Sequence, residues 1–240
     1  MTEPAGAHPE PAQDHRHGRL AARPAAPTAR GRRGLAPVTG PDGEQTALLY
    51  APDDADDRPY RVVVLLHGAG GSARQALDLL LPLADAHRLL LVAPQAVSST
   101  WDLIGEGFGP DVGRVDGLLA GVFAGYPVAD VTFGGFSDGA SYALSLGLTN
   151  GDLVGAVLAF SPGFAAPLVA HGRPRIFVSH GAADRVLPVD VCSRRLVPRL
   201  HALGYRVDYA EFDGGHEVPD ELRRRAVDWL NTGATPPGAG

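Results

Sequence analysis

The fold of this chain is decided by Gly135-Phe136-Ser137-Asp138-Gly139, a glycine-flanked serine between two contrasting runs. Residues 128–133 are mostly apolar, as expected of a strand, and residues 140–149 are rich in Ala and Leu, as expected of a helix. A tight strand-to-helix turn would lift the serine hydroxyl clear of the sheet, beside a helix N-terminus. Glycines two residues either side leave room for the strand and the helix to pass closely. The stretch therefore predicts a nucleophilic serine, Ser137, in a strained turn.

Two later strand-like runs each lead into a titratable side chain. Residues 175–179 are followed by His180-Gly181 and then by Asp184, and residues 206–212 are followed by Gly215-His216. The loops that follow neighbouring parallel strands open on one edge of the sheet, so these side chains are expected to meet Ser137 there. A serine, an acid and a histidine in this chain order predict a nucleophile, an orienting group and a general base.

Two other carboxylates compete with Asp184 for the role of the acid. Asp190 lies shortly after it, and Asp213 stands three residues before His216. A residue as close in sequence as Asp213 is not expected to reach round to the far nitrogen of the imidazole. Asp184 is therefore the predicted partner of His216.

A fourth motif supplies candidate donors for an oxyanion. The apolar run 62–66 predicts a central strand, and it leads into His67-Gly68-Ala69-Gly70-Gly71. Glycines allow the backbone of such a loop to approach a substrate closely. The predicted donors are the backbone N–H of Ala69, with Gly70 as the alternative, and the backbone N–H of Asp138. The charged side chain of Asp138 would oppose a nearby oxyanion, so we expect it to point away.

Together the four motifs resemble those of the serine carboxylesterases of the α/β-hydrolase superfamily. The resemblance covers residues 46–230 and is to the phospholipase/carboxylesterase and acyl-thioesterase-like branch, with a weaker likeness to polyhydroxyalkanoate-depolymerase-like esterases. It implies an α/β fold with a mostly parallel central sheet flanked by helices, and ester hydrolysis through an acyl-enzyme without a metal or organic cofactor. Thioesterase-like members usually carry Gln after the serine, where this chain has Asp138, which puts a thioester preference in doubt.

The expected binding surface is open and shallow. Segment 161–174, between two strand-like runs, is too short for the helical cap that many lipases place there. Five loop residues are predicted to contact the substrate: Gly70, Trp101, Phe108, Phe164 and Val186. Packing of the loop onto the domain is an equally supported interpretation of Trp101 and Phe108.

Composition narrows the classes of partner and compartment. The net charge is −6, and residues 1–40 carry six Arg against three acids, so the remainder is more acidic still. That balance excludes a basic nucleic-acid-binding face on the predicted domain. The expected partner is a small-molecule ester, with the chain a monomer or homodimer. The first forty residues lack the apolar segment of a secretory signal, and no run is long enough to span a membrane, so a cytoplasmic location is predicted.

The pattern predicts one domain, residues 18–232, between polar tails at 1–17 and 233–240. The expected strands are 18–24, 46–51, 62–66, 89–93, 128–133, 153–160, 175–179 and 206–212. The expected helices are 73–87 with Ser72 as its cap, 112–125 with Asp111 as its cap, 140–149, 189–203 and 219–231. Cys192, the only cysteine, is expected to be packed within the fourth of these helices.

The leading hypothesis is a serine carboxylesterase that acts on short- to medium-chain esters. Thioesterase or lysophospholipase-type activity is an alternative within the same chemistry. An alternative from another class is a catalytically silent α/β-hydrolase fold that binds a small molecule. Turnover of an ester distinguishes the enzymes from the silent fold.

Overall fold

The computed structural model describes residues 15–53, 58–105 and 107–232. Eight strands form one sheet in the order β1-β2-β4-β3-β5-β6-β7-β8. Their bounds are β1 (Gly34–Thr39), β2 (Gln45–Ala51), β3 (Tyr60–Leu66), β4 (Leu89–Pro94), β5 (Val128–Phe136), β6 (Val154–Phe160), β7 (Arg175–Gly181) and β8 (Val207–Phe212). The pairs β1–β2 and β2–β4 are antiparallel and the other five are parallel. The expected α/β class with a mostly parallel sheet is confirmed.

Helices cover both faces of the sheet. They are α1 (Ala73–Leu77), α2 (Ala84–His87), α3 (Asp102–Gly105), α4 (Pro110–Gly125), α5 (Asp138–Thr149), α6 (Ser193–Ala202) and α7 (Asp220–Asn231), with a 3-10 turn at Leu81–Leu83. Successive residues of β3 alternate between two separate cores, because side chains of a strand point to opposite faces. Val62 and Val64 belong to the core that includes residues of α4, α5 and α6, whereas Val63 and Leu65 belong to the core that includes residues of α1, α2 and α7.

The N-terminal part of the sheet differs from the expectation. Residues 18–24 form no strand, because side chains from elsewhere take their backbone donors: Asn150 accepts from Leu20, and Asp116 accepts from Ala21 and Ala22. The edge strand is instead β1, which the sequence did not indicate. β1 contains Pro37, and proline is tolerated in a strand only at an edge or a bulge.

Two helix predictions are corrected. Ser72 does cap a helix and forms a capping box with Gln75, but the single helix expected over 73–87 ends at Leu77. Pro82, in the 3-10 turn that follows, cannot donate the hydrogen bond that a continuous helix requires. The helix expected to be capped by Asp111 begins two residues earlier than expected, at Pro110, whose ring presets the backbone for a first turn, with Gly109 as its cap. Asp111 is buried instead and accepts hydrogen bonds from the backbone N–H of Val97 and Asp102.

The ends of the domain are partly described. His15, in the expected tail, lies against α4 with its Nε2 3.1 Å from Oδ2 of Asp116. Residues 1–14 and 233–240 of the expected tails lie outside the described residues. Segment 161–174 contains no helix, and no separate cap is evident over the described part of the sheet. None of the described helices is long and apolar enough to span a membrane.

Candidate active site

Ser137 sits in a strained turn between β5 and α5. Its φ of 58° and ψ of −122° lie in a region that side-chain-bearing residues rarely adopt. A Cβ added to Gly135 would lie 2.5 Å from the backbone of Gly139, and one added to Gly139 would lie 2.1 Å from the carbonyl oxygen of Leu66. Only glycines allow this approach of helix to sheet, so the turn depends on both of them.

The structure brings together the three side chains expected to meet. Oγ of Ser137 lies 2.9 Å from Nε2 of His216, and Nδ1 of His216 lies 2.6 Å from Oδ2 of Asp184. An ionised carboxylate only accepts hydrogen bonds, so Nδ1 carries the proton and Nε2 is left to accept from the serine hydroxyl. Ser137, Asp184 and His216 follow β5, β7 and β8, whose carboxyl ends share one edge of the sheet.

Asp184 is buried yet held in its ionised form. Burial opposes ionisation, but the hydrogen bond from His216 and those from the backbone N–H of Val186 and Leu187 outweigh it and lower the pKa of Asp184. Both backbone donors reach its Oδ1 at 2.8 Å. A charged Asp184 keeps the imidazole in the orientation and tautomer that general-base chemistry requires.

The rival acids lie elsewhere. Asp190 forms an exposed ion pair with Arg194, and Asp213 is exposed and has no hydrogen bond to any other described residue. The hydrogen bonds of the described His216 side chain go to Asp184 and Ser137, and to neither of these two carboxylates.

The hydrogen bonds of the glycine-rich loop after β3 distinguish between Ala69 and Gly70 as the first oxyanion donor. The backbone N–H of Gly70 already donates to the carbonyl oxygen of Ser99 at 2.6 Å. The N–H of Ala69 has no partner among the described residues, and Ala69 is exposed. The N–H of Asp138, the first residue of α5, is likewise without a described partner, as is usual in a first helical turn. The geometry favours Ala69 over Gly70.

His67 anchors this loop from beneath. It is buried, and desolvation lowers the pKa of its imidazole despite the neighbouring carbonyl of Gly68. In the neutral ring Nδ1 donates to the carbonyl of Gly68, and Nε2 accepts from the backbone N–H of Ala96 at 3.1 Å. Its position supports the structural role expected for it.

The carboxylate of Asp138 has a partner that the sequence did not indicate. Oγ1 of Thr100 donates to Oδ2 of Asp138 at 2.7 Å. Thr100 lies on the loop after β4 that also supplies the Ser99 carbonyl to Gly70. One loop therefore positions both the glycine-rich loop and the start of α5.

Two of the predicted substrate contacts are wrong. Trp101 is only 1% exposed, stacks on Tyr142 with ring centroids 5.1 Å apart, and donates from Nε1 to the carbonyl of His67. Phe108 is 7% exposed and packs against the ring of Tyr142 and the backbone of Gly18. Both aromatic rings belong to the core because an apolar ring gains more from packing there than from covering an open cleft.

The other three predicted contacts lie on the surface. Gly70 has a φ of 66° and lines a cleft of about 340 Å³ beside the serine turn. Val186 is 64% exposed on the turn that holds Asp184. Phe164 is partly exposed but lines a different groove, next to α6.

Sequence reasoning overlooked Phe136, the residue before the serine. Its ring lies against the imidazole of His216, with centroids 4.6 Å apart, and it also lines the cleft at Gly70. Its place inside the serine motif was the available signal, because the residue before the nucleophile shares the same exposed turn.

Comparison with known proteins agrees with this fold. Residues 118–232 match a family model described as Phospholipase/Carboxylesterase. The structure of esterase PE8 is similar, with 25% identity and a TM-score of 0.64, covering 83% of this chain and 99% of that one. Two more distant structures share the fold. The phospholipase/carboxylesterase of Dyadobacter fermentans is 20% identical, with a TM-score of 0.57 over 84% of this chain and 98% of that one. Acyl-protein thioesterase 2 of Zea mays is 19% identical, with a TM-score of 0.58 over 78% and 97%. No curated protein sequence matches the chain.

Proposed function

We propose that this chain, which has the α/β-hydrolase fold and matches the phospholipase/carboxylesterase model over residues 118–232, hydrolyses short- to medium-chain carboxylic esters through Ser137, Asp184 and His216. The observation that carries the proposal is the 2.9 Å separation of the Ser137 hydroxyl from Nε2 of His216, whose Nδ1 meets Asp184.

The reaction proceeds in two acyl transfers. Oγ of Ser137 attacks the ester carbonyl carbon while Nε2 of His216 takes its proton. The carbonyl oxygen becomes an oxyanion opposite the backbone N–H groups of Ala69 and Asp138, each worth about 3 kcal/mol in comparable sites. The bond to the alkoxy oxygen then breaks, and His216 returns the proton to the departing alcohol.

Water completes the cycle. His216 again acts as base and removes a proton from the water that attacks the acyl-enzyme. The bond between the acyl carbon and Oγ breaks, Ser137 regains a proton from His216, and the carboxylic acid leaves. Asp184 stabilises the imidazolium that forms in each half of the cycle.

The size of the cleft beside the serine turn supports a preference for small acyl groups. The cleft beside the serine turn measures about 340 Å³ and is lined by the glycine-rich loop, Leu79 and Phe136. That volume is at the lower end for small-molecule sites, and no cap covers it within the described residues, so an acyl chain of a few carbons fits best.

The decisive experiment compares two serine variants. Ser137→Ala should lower hydrolysis of p-nitrophenyl acetate and butyrate by about 10⁴-fold or more. Ser179→Ala, which removes a buried hydroxyl without a hydrogen-bond partner in the described part of the chain, is the matched control and should retain activity. A fluorophosphonate should add one adduct mass to the native and control proteins and none to Ser137→Ala.

A panel of esters graded by acyl chain length, together with a thioester and a lysophospholipid, then identifies the substrate class.

Equal turnover by the native and Ser137→Ala proteins would refute the proposal. Ligand binding without turnover of any member would favour the silent fold instead.

A further inference from the structure

A second concave surface lies apart from the candidate active site. We call it the α6 groove: it runs between segment 161–174 and α6 and has a volume of about 660 Å³. Apolar side chains form its bed, notably Leu148, Phe164, Leu196, Leu200 and Tyr205. Ser137, Asp184 and His216 do not line it.

Exposed apolar side chains gather at this groove. Val191 and Leu203, 53% and 63% exposed, lie on its rim. Leu168 and Val169, 59% and 60% exposed, stand between Pro167 and Ala170, which both line it. Scattered exposed apolar residues need no explanation, but a contiguous set around a groove marks a surface that binds something apolar.

The charged side chains that line the groove, among the described residues, are all positive. Arg173, Arg195 and Arg199 line it, and no Asp or Glu is among the described lining residues. Arg195 and Arg199 are four residues apart, hence on one face of α6, and neither side chain has a hydrogen bond or an ion pair within the described ranges. Their neighbour Arg194, by contrast, pairs with Glu211 and Asp190. The groove thus joins an apolar bed to uncompensated positive charge.

We propose that the α6 groove binds the monomeric anion of a single-chain fatty acid. The alkyl chain lies along the bed between Leu196 and Phe164, and the carboxylate lies at Arg195 and Arg199. Guanidinium groups match a carboxylate in both charge and geometry, and the apolar bed discriminates against short carboxylates. The proposal concerns binding alone and does not depend on ester hydrolysis.

Cys192 offers a reporter specific to this groove. It lines the groove, is 7% exposed and is the only cysteine of the chain. Decanoate below its micellar concentration should slow alkylation of this thiol by N-ethylmaleimide. Butyrate, which lacks the chain, and decanol, which lacks the charge, should each need at least tenfold higher concentrations. Isothermal titration calorimetry with decanoate provides the companion measurement of affinity.

The double variant Arg195→Gln/Arg199→Gln tests the charge directly. Loss of two exposed charge contacts should weaken decanoate binding about tenfold in both measurements. Arg224→Gln, an exposed arginine of α7 away from the groove, is the control and should bind as the native protein does. Hydrolysis of p-nitrophenyl acetate should be unchanged in both variants, which separates this proposal from the one on Ser137.

Three results would overturn the proposal. The first is equal decanoate affinity of the native protein and the double variant. The second is an affinity for decanol equal to that for decanoate. The third is protection of Cys192 by vesicles of anionic phospholipid with none by decanoate, which would assign the surface to a membrane.

Discussion

Nε2 of His180 lies 3.3 Å from Oδ2 of Asp184, the carboxylate oxygen that also lies 2.6 Å from Nδ1 of His216. His180 is fully buried, and burial lowers the pKa of its imidazole. In the neutral ring Nδ1 accepts from the hydroxyl of Ser193, and Nε2 donates to the carbonyl of Leu187 at 2.7 Å. His180 thus anchors the turn at Leu187, whose backbone N–H holds Asp184.

We expect His180→Gln to lower kcat for ester hydrolysis about tenfold with little change in KM, because groups that orient a catalytic side chain typically contribute this much. Loss of the ring N–H frees the carbonyl of Leu187 and loosens the turn whose backbone N–H groups, those of Val186 and Leu187, lower the pKa of Asp184. The pKa of Asp184 should therefore rise, and the acid limb of the pH profile of kcat/KM should move to higher pH. Ser193→Ala removes only the hydroxyl that donates to Nδ1 of His180, so it should shift the acid limb less. A native pH profile in His180→Gln would contradict the positioning role.

The hydrogen bond from Thr100 to Asp138 predicts that the negative charge of this carboxylate affects kcat. Thr100→Val keeps the shape but removes the donor, so the carboxylate is freed beside the backbone N–H that would serve the oxyanion. We expect kcat to fall about fivefold, a loss of about 1 kcal/mol. Adding Asp138→Asn should restore most of it by removing the negative charge. If the double variant were no faster than Thr100→Val, the electrostatic explanation would fail.

Two glycine-to-alanine substitutions should change the free energy of unfolding in opposite directions. Gly135→Ala places a methyl group 2.5 Å from the backbone of Gly139, which cannot move without separating α5 from the sheet. The free energy of unfolding should fall by about 3 kcal/mol. Gly117→Ala in α4 meets nothing within 4 Å and should raise it by about 1 kcal/mol, because alanine favours the helix. Urea unfolding measures both, and equal effects would contradict the close approach at the serine turn.

Stability should decrease in mild acid because of two buried histidines. Desolvation lowers the pKa of both His67 and His180 below the value of about 6.5 expected in the unfolded chain. Below pH 6.5 the unfolded chain therefore binds more protons, and the free energy of unfolding falls until the pH passes the folded-state pKa values. Urea unfolding between pH 7.5 and 5 measures this slope. His67→Gln and His180→Gln should each reduce it, and an unchanged slope in both variants would argue against the lowered pKa values.

Local patterns predicted most of the architecture. Apolar runs such as 62–66 and the glycine pairs around Ser137 placed seven of the eight strands close to their observed bounds. The exception, β1, pairs with β2 along an exposed edge and carries a proline, so its own residues hold little strand signal. Pro82 and Pro110 likewise shifted helix bounds by backbone constraints that hydrophobic periodicity does not register.

The candidate site likewise contains some residues that local sequence patterns predicted and others that they did not. Chain order and loop position were enough to select Ser137, Asp184 and His216, because parallel strands bring their carboxyl ends to one edge whatever the intervening residues are. The roles of Trp101, Phe108, Thr100 and His180 depended on contacts with partners that sequence spacing does not reveal. Whether an aromatic ring faces a cleft or the core is settled by which distant side chains fill the space around it. The sequence by itself therefore determined the fold class and the candidate reacting groups. Only the tertiary structure decided which neighbours hold those groups in place, since long-range packing depends on every element at once.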